Sequence, residues 1–143
     1  MKMWIDCEWN EFGGELISMA LVTKNSGEWY EVLPCEKPGA WVAQHVIPIL
    51  GKSPIPKVDA QRSLRAWLAK FGSCEIVADW PEDVARFCDF LIIGPGMRID
   101  TPPLSFSIFR IDAPSEVPHN ALHDARGIMR AMNPSEWTGL GDK

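Results

Sequence analysis

The sequence has no apolar run approaching the roughly 20 residues that a membrane-spanning helix needs, so it predicts no membrane partner. A secretory signal is missing as well, because Asp6 and Glu8 interrupt the first apolar stretch at once, and that predicts a cytoplasmic protein. There is no Cys-x-x-Cys spacing. Cys7, Cys35, Cys74 and Cys88 are scattered, which argues against a zinc or disulfide framework and for buried thiols. An excess of positive charge is also lacking. A formal net charge of −5 argues against a protein that holds nucleic acid by bulk electrostatics. Neither an internal repeat nor a linker divides the 143 residues. They read as one domain, 1–143, with the tail after Asn133 loosely held.

What is present is an ordinary globular composition, 46% apolar and 23% charged, long enough to bury a core. Met3–Glu8 turns abruptly from apolar to acidic and reads as a strand with charge at its far end. Leu16–Val22 and Glu28–Leu33 flank the polar turn Lys24-Asn25-Ser26-Gly27 and predict a hairpin. A loop over Cys35–Ala40 leads to a short helix over Trp41–Leu50, disturbed near Pro48. Prolines at 54 and 56 break the chain before a helix over Asp59–Phe71, striped by Leu64, Trp67, Leu68 and Phe71. Cys74–Ala78 is a short strand. Pro81–Leu91 is a helix with Val84, Phe87, Cys88 and Leu91 on one face. Gly94–Pro103 reads as a loop and Leu104–Ile111 as a strand. A last helix, His119–Met132, turns Ala121, Leu122, Ala125, Ile128, Met129 and Met132 inward. The order β-β-β-α-α-β-α-β-α predicts a mixed sheet with helices packed on it.

Three acidic islands sit at the ends of these elements. In Asp6-Cys7-Glu8, strand periodicity sends both carboxylates to one side, about 6–7 Å apart, where they can chelate one divalent ion between them. The plainer reading is a solvated surface pair. Asp79-Trp80-Pro81-Glu82-Asp83 follows a strand and opens a helix, so Asp79 or Glu82 is also placed to cap that helix. The third island is His119-Asn120-Ala121-Leu122-His123-Asp124. Five helical residues rotate by about 500°, so His119 and Asp124 would diverge by roughly 140° on one helix. This predicts that His119 lies in the first turn or the loop before it and swings over the site. His119 and His123 share a helical face, which raises a zinc pair, but the adjacent Glu of His-Glu-x-x-His is absent and no third ligand stands out. His123 is expected to be an exposed helix residue.

Together the islands resemble the DnaQ-like (DEDD) 3′→5′ exonucleases in their histidine-containing form. MWIDCEWNEFGGELISMALV, with Asp6-x-Glu8, looks like the first motif of that superfamily, IVADWPEDVARF with Asp83 like the second, and HNALHDA like the third. The three stand in the family's order from Asp6 to Asp124, and the short chain resembles the small stand-alone exoribonucleases. It departs once: many relatives carry Asn four residues before the second-motif aspartate, where this chain has Asp79. The resemblance implies an α/β, RNase H-like fold, a five-stranded mixed sheet with its second strand antiparallel and helices on both faces. It implies two Mg²⁺ or Mn²⁺ ions per site and a nucleic-acid 3′ end as partner, RNA ahead of DNA; a homodimer is compatible with it. Asp6, Glu8 and Asp124 would hold the ion that carries the attacking water. Asp6 would bridge to a second ion supported by Asp83, and neutral His119 would take the proton. Trp9 or Phe12 would stack on the terminal base, or both would pack the loop against the sheet. Trp4, Trp29, Trp41, Trp67 and Trp137 are expected to pack only. Two other readings share the fold: a silent module that grips a nucleic-acid end or a protein, and an RNase H-type endonuclease. The presence of every catalytic residue type disfavours the first. The His-x-Ala-x-x-Asp spacing disfavours the second.

Overall fold

The structure is a computed structural model that describes residues 1–134; Trp137 and the tail beyond Pro134 lie outside the described residues. β1 (Lys2–Trp9), β2 (Leu16–Thr23) and β3 (Glu28–Val32) form an antiparallel meander. α1 (Ala40–His45) and a 3₁₀ turn (Ile47–Ile49) lead to α2 (Lys57–Leu68), β4 (Cys74–Ala78) and α3 (Pro81–Phe90). A small hairpin, β5 (Ile92–Gly94) with β6 (Met97–Arg98), precedes β7 (Leu104–Ile108) and α4 (Ala121–Met132). The fold is α/β, with a five-stranded mixed sheet ordered β3-β2-β1-β4-β7. β1, β4 and β7 run parallel, β3 runs with them, and β2 alone runs against them.

Strand alternation divides the core between the two faces. Met3, Ile5 and Cys7 of β1 meet α2 and α3 on one face, through Leu64, Leu68, Phe87 and Phe90. Trp4 of β1, Ala20 and Val22 of β2 and Val77 of β4 meet Ala121, Ala125, Ile128 and Met129 of α4 on the other. With helices on both faces, β2 is buried along nearly its whole length, as LISMALV requires. A register shift at Glu8/Trp9 pairs Trp9 with Leu16 and leaves Ile17 as the extra residue of a bulge. Ile17 joins Val32, Val42, Val46 and Leu50, which seats α1 and the 3₁₀ turn beside β3.

The small hairpin replaces part of the loop expected over Gly94–Pro103. Its strands are too short to carry a hydrophobic period, and the chain reverses at Pro95-Gly96, where Gly96 takes φ +65°. β7 ends at Ile108 rather than Ile111, because its partner β4 ends at Ala78. α4 begins at Ala121 rather than His119. Asn120 precedes it in extended conformation and caps it, its Oδ1 accepting from the His123 N–H at 3.2 Å. Gly127 is required on α4, because a Cβ there would lie 2.4 Å from the Pro114 carbonyl oxygen. That close approach lays the segment leading to His119 along the helix. No helix among the described residues is long and apolar enough to cross a membrane.

Candidate metal centre

In a sheet of this kind the crevice lies beyond the carboxyl ends of the parallel strands. Pairing of β1 with β4 stops at Trp4 and Val77. Two residues further on stand Asp6 on β1 and Asp79 after β4, side by side on the face that α4 covers. Glu8 is on that face too. Asp124 sits on the first turn of α4, flanking the Ala121–Ala125–Ile128 stripe. Asp83 comes from the other side. It lies in the first turn of α3, is only 2% exposed, and its Oδ1 accepts from the Cys7 backbone N–H at 3.1 Å. That amide lies past the last β1–β4 pair, so Asp83 occupies the place of the missing strand.

The carboxylates fall into two groups. Oxygens of Asp6, Glu8 and Asp124 lie within 4.8 Å of one another, and so do those of Asp6, Asp79 and Asp83. Asp6 belongs to both. Its Oδ2 is buried and has no hydrogen-bond partner. An orphaned carboxylate oxygen amid four other carboxylates is costly unless a cation or a proton sits there. An all-oxygen, anionic donor set fits a hard divalent cation.

Without a cation, protons must relieve the repulsion. Burial, followed by the charges of Asp83, Glu8, Asp124 and Asp79, raises the Asp6 carboxyl well above the usual carboxylate range. Burial and the adjacent Asp124, to which it hydrogen-bonds, push Glu8 up to about 8. Burial and Asp79 push Asp83 up to about 8 against the lowering effect of the Cys7 amide, and burial raises Asp79. Each folded-state pKa lies above its unfolded value near 4. The stability these groups contribute is therefore full below about pH 4 and is lost as pH rises toward about 8. The metal-free protein should melt at progressively lower temperature between about pH 5 and 8. Saturating Mg²⁺ should remove most of that slope, because the cation takes over from the protons. Scanning calorimetry across this range in EDTA and in Mg²⁺ checks it; parallel slopes would mean that the carboxylates hold no ion.

His119 lies outside α4, as the 140° argument requires. It has φ +70°, an uncommon backbone for a non-glycine residue, and its N–H donates to Asp124 Oδ2 at 3.1 Å. Asp6, Asp79, Pro114, Pro118, His119 and Asp124 line a cleft of about 510 Å³. Because His119 precedes the helix, it shares no helical face with His123, and the groups within metal-ligand range among the described residues are all carboxylates. His123 is not an exposed helix residue. It is half-buried, with Nδ1 3.8 Å from Glu116 Oε2.

Of the two aromatic candidates, Trp9 packs against the α2–α3 face, with the Arg86 guanidinium 5.3 Å from its ring centroid. Phe12 is 94% exposed at the tip of the β1–β2 loop. Two further expectations need correction. Asp79 does not cap α3: the N-cap is Trp80, and no side chain caps that helix. Trp41 does more than pack. It is 49% exposed, stacks on His45 at 4.6 Å and meets the His119 ring edge-on at 4.9 Å. The sequence signal is that Val42 of α1 and Val46, just after it, face the core, which turns Trp41 off it. Asn120 is a further residue that positions the site. It is 5% exposed, and besides capping α4 its Nδ2 donates to the Ile49 carbonyl at 2.8 Å, tying the helix to the 3₁₀ turn. Asn immediately before an apolar-periodic run is the ordinary signature of such a cap.

A scan of the chain against models of known protein families finds no match, and a search of curated proteins finds none either.

Proposed function

We propose that this protein is a metal-dependent 3′→5′ exonuclease on an RNase H-like fold, of the DnaQ-like histidine type, that hydrolyses phosphodiester bonds at a nucleic-acid end, RNA in preference to DNA. The observation that carries the reading is Asp6, whose carboxylate belongs to two ligand groups at once. Two cations held on a shared carboxylate would stabilise both the attacking and the leaving oxygen of an in-line phosphoryl displacement. Asp6, Glu8 and Asp124 would hold one Mg²⁺ or Mn²⁺ ion, and Asp6 with Asp83 the other. These ions supply charge stabilisation and an acidified water.

The remaining work falls to the chain. His119 is exposed at the cleft and takes the proton from the attacking water. Asp124 holds the His119 backbone through its amide, so a ligand and the base are mechanically linked. Trp41, edge-on to the His119 ring at 4.9 Å, limits the swing of that ring. The cations convert an acidic patch into one that accepts phosphate, which reconciles the net charge of −5 with a nucleic-acid substrate. A cytoplasmic location goes with this reading.

The test compares linear oligonucleotides ending in a free 3′ hydroxyl with the same oligonucleotides blocked at the 3′ end. Only the free ends should shorten, in Mn²⁺ or Mg²⁺, and EDTA should stop the reaction. Cleavage that survives EDTA overturns the proposal.

A further inference from the structure

Asp79 stands where the resembled family commonly has a neutral Asn, and its surroundings give it a function of its own. We propose that Asp79 is a direct metal ligand, completing with Asp6 and Asp83 a three-carboxylate site that holds a divalent cation before any nucleic acid arrives. The inference rests on the metal centre proposed above and extends it.

Three observations carry it. Oxygens of Asp6, Asp79 and Asp83 lie within 4.8 Å of one another, and an ion bonded at about 2.1–2.5 Å to each oxygen brings its donors to about 3–5 Å apart. Asp6, the member that this group shares with the other, has an oxygen, Oδ2, that is sealed from solvent and has no hydrogen-bond partner, so a buried acceptor is left unfilled among these carboxylates. Third, Asp79 is not used by the helix beside it: α3 takes Trp80 as its N-cap and has no side-chain cap. The residue owes its position to the parallel register, which sets it beside Asp6 two residues past the last β1–β4 pair.

The consequence is chemical. Affinity for a hard cation rises with the number of charged ligands. With Asn at this position the second ion would have Asp83 and a share of Asp6, and would depend on substrate phosphate to complete its shell. With Asp79 it has three carboxylates and does not.

The experiment is calorimetric titration of Mn²⁺ into the full chain without nucleic acid. Wild type should take up two ions. Asp79→Asn is nearly isosteric and removes a like charge from the cluster, so its metal-free form should melt no lower than wild type. It should keep one ion and bind the second at least about tenfold more weakly. Asp83→Asn, which touches the same ion, should lose the same binding event. Two unchanged binding events in Asp79→Asn overturn the inference, most sharply if Asp83→Asn loses one. A wild type that takes up a single ion also overturns it, while leaving an exonuclease whose second ion comes with substrate. Two ions bound by a protein that trims no RNA or DNA end would retain this inference and overturn the exonuclease.

Discussion

Asp6→Ala should abolish cleavage of every nucleic-acid end, and with it the stabilisation that Mn²⁺ gives. Among the described residues no other belongs to both carboxylate groups, so its loss damages both ion sites at once. An ion at 100 times its Kd stabilises a folded protein by about 2.7 kcal/mol. For a domain of this size that is a rise of several degrees in melting temperature. Wild type should show the rise and Asp6→Ala should not. The variant should still fold. Asp6 Oδ2 makes no hydrogen bond, and burial together with the carboxylates around it holds the group well above its ordinary pKa, so truncation removes a group whose ionisation costs the metal-free fold rather than a support. Near-normal turnover by Asp6→Ala would mean that the site is elsewhere.

The second large effect is expected at His119. His119→Ala should lower kcat by about 10²–10⁴-fold, the usual size of a general-base contribution, with Mn²⁺ binding little changed. His119 lines the cleft, whereas its hydrogen bond to Asp124 is made by the backbone N–H, which alanine keeps. The deficit should narrow as pH rises and hydroxide replaces the missing base. His123→Ala should stay within a few-fold of wild type, because that ring faces Glu116. The reverse ranking would put the base on α4.

The parts of this site that could be read in the sequence are those that depend on local geometry. Asp6 and Glu8 share a face because a strand has period two. His119 had to leave the helix because five helical steps cannot bring it round to Asp124. Four of the five strands of the main sheet are legible to within about two residues, because Met3–Glu8, Leu16–Val22, Glu28–Leu33 and Cys74–Ala78 are short apolar runs bounded by polar or turn residues. What was not legible depends on contacts between distant segments. Asp79 reads as a helix cap until the parallel register of β1 and β4 sets it beside Asp6, 73 residues away. Trp41 meets His119 only because Ile17 and Val32 seat α1 beside the meander and Asn120 reaches back to Ile49. The β5–β6 hairpin is held by two paired positions, too few to show a period.

The most direct measurement of the central claim uses one single-stranded RNA sequence in two forms, linear with a 5′ label and covalently closed, incubated with the protein in Mn²⁺. The linear form should shorten stepwise from its 3′ end into a ladder of 5′-labelled fragments, while the circle stays intact. A circle opened at a comparable rate would make the protein an endonuclease. An untouched linear RNA, with the matching single-stranded DNA also untouched, would make it no nuclease at all.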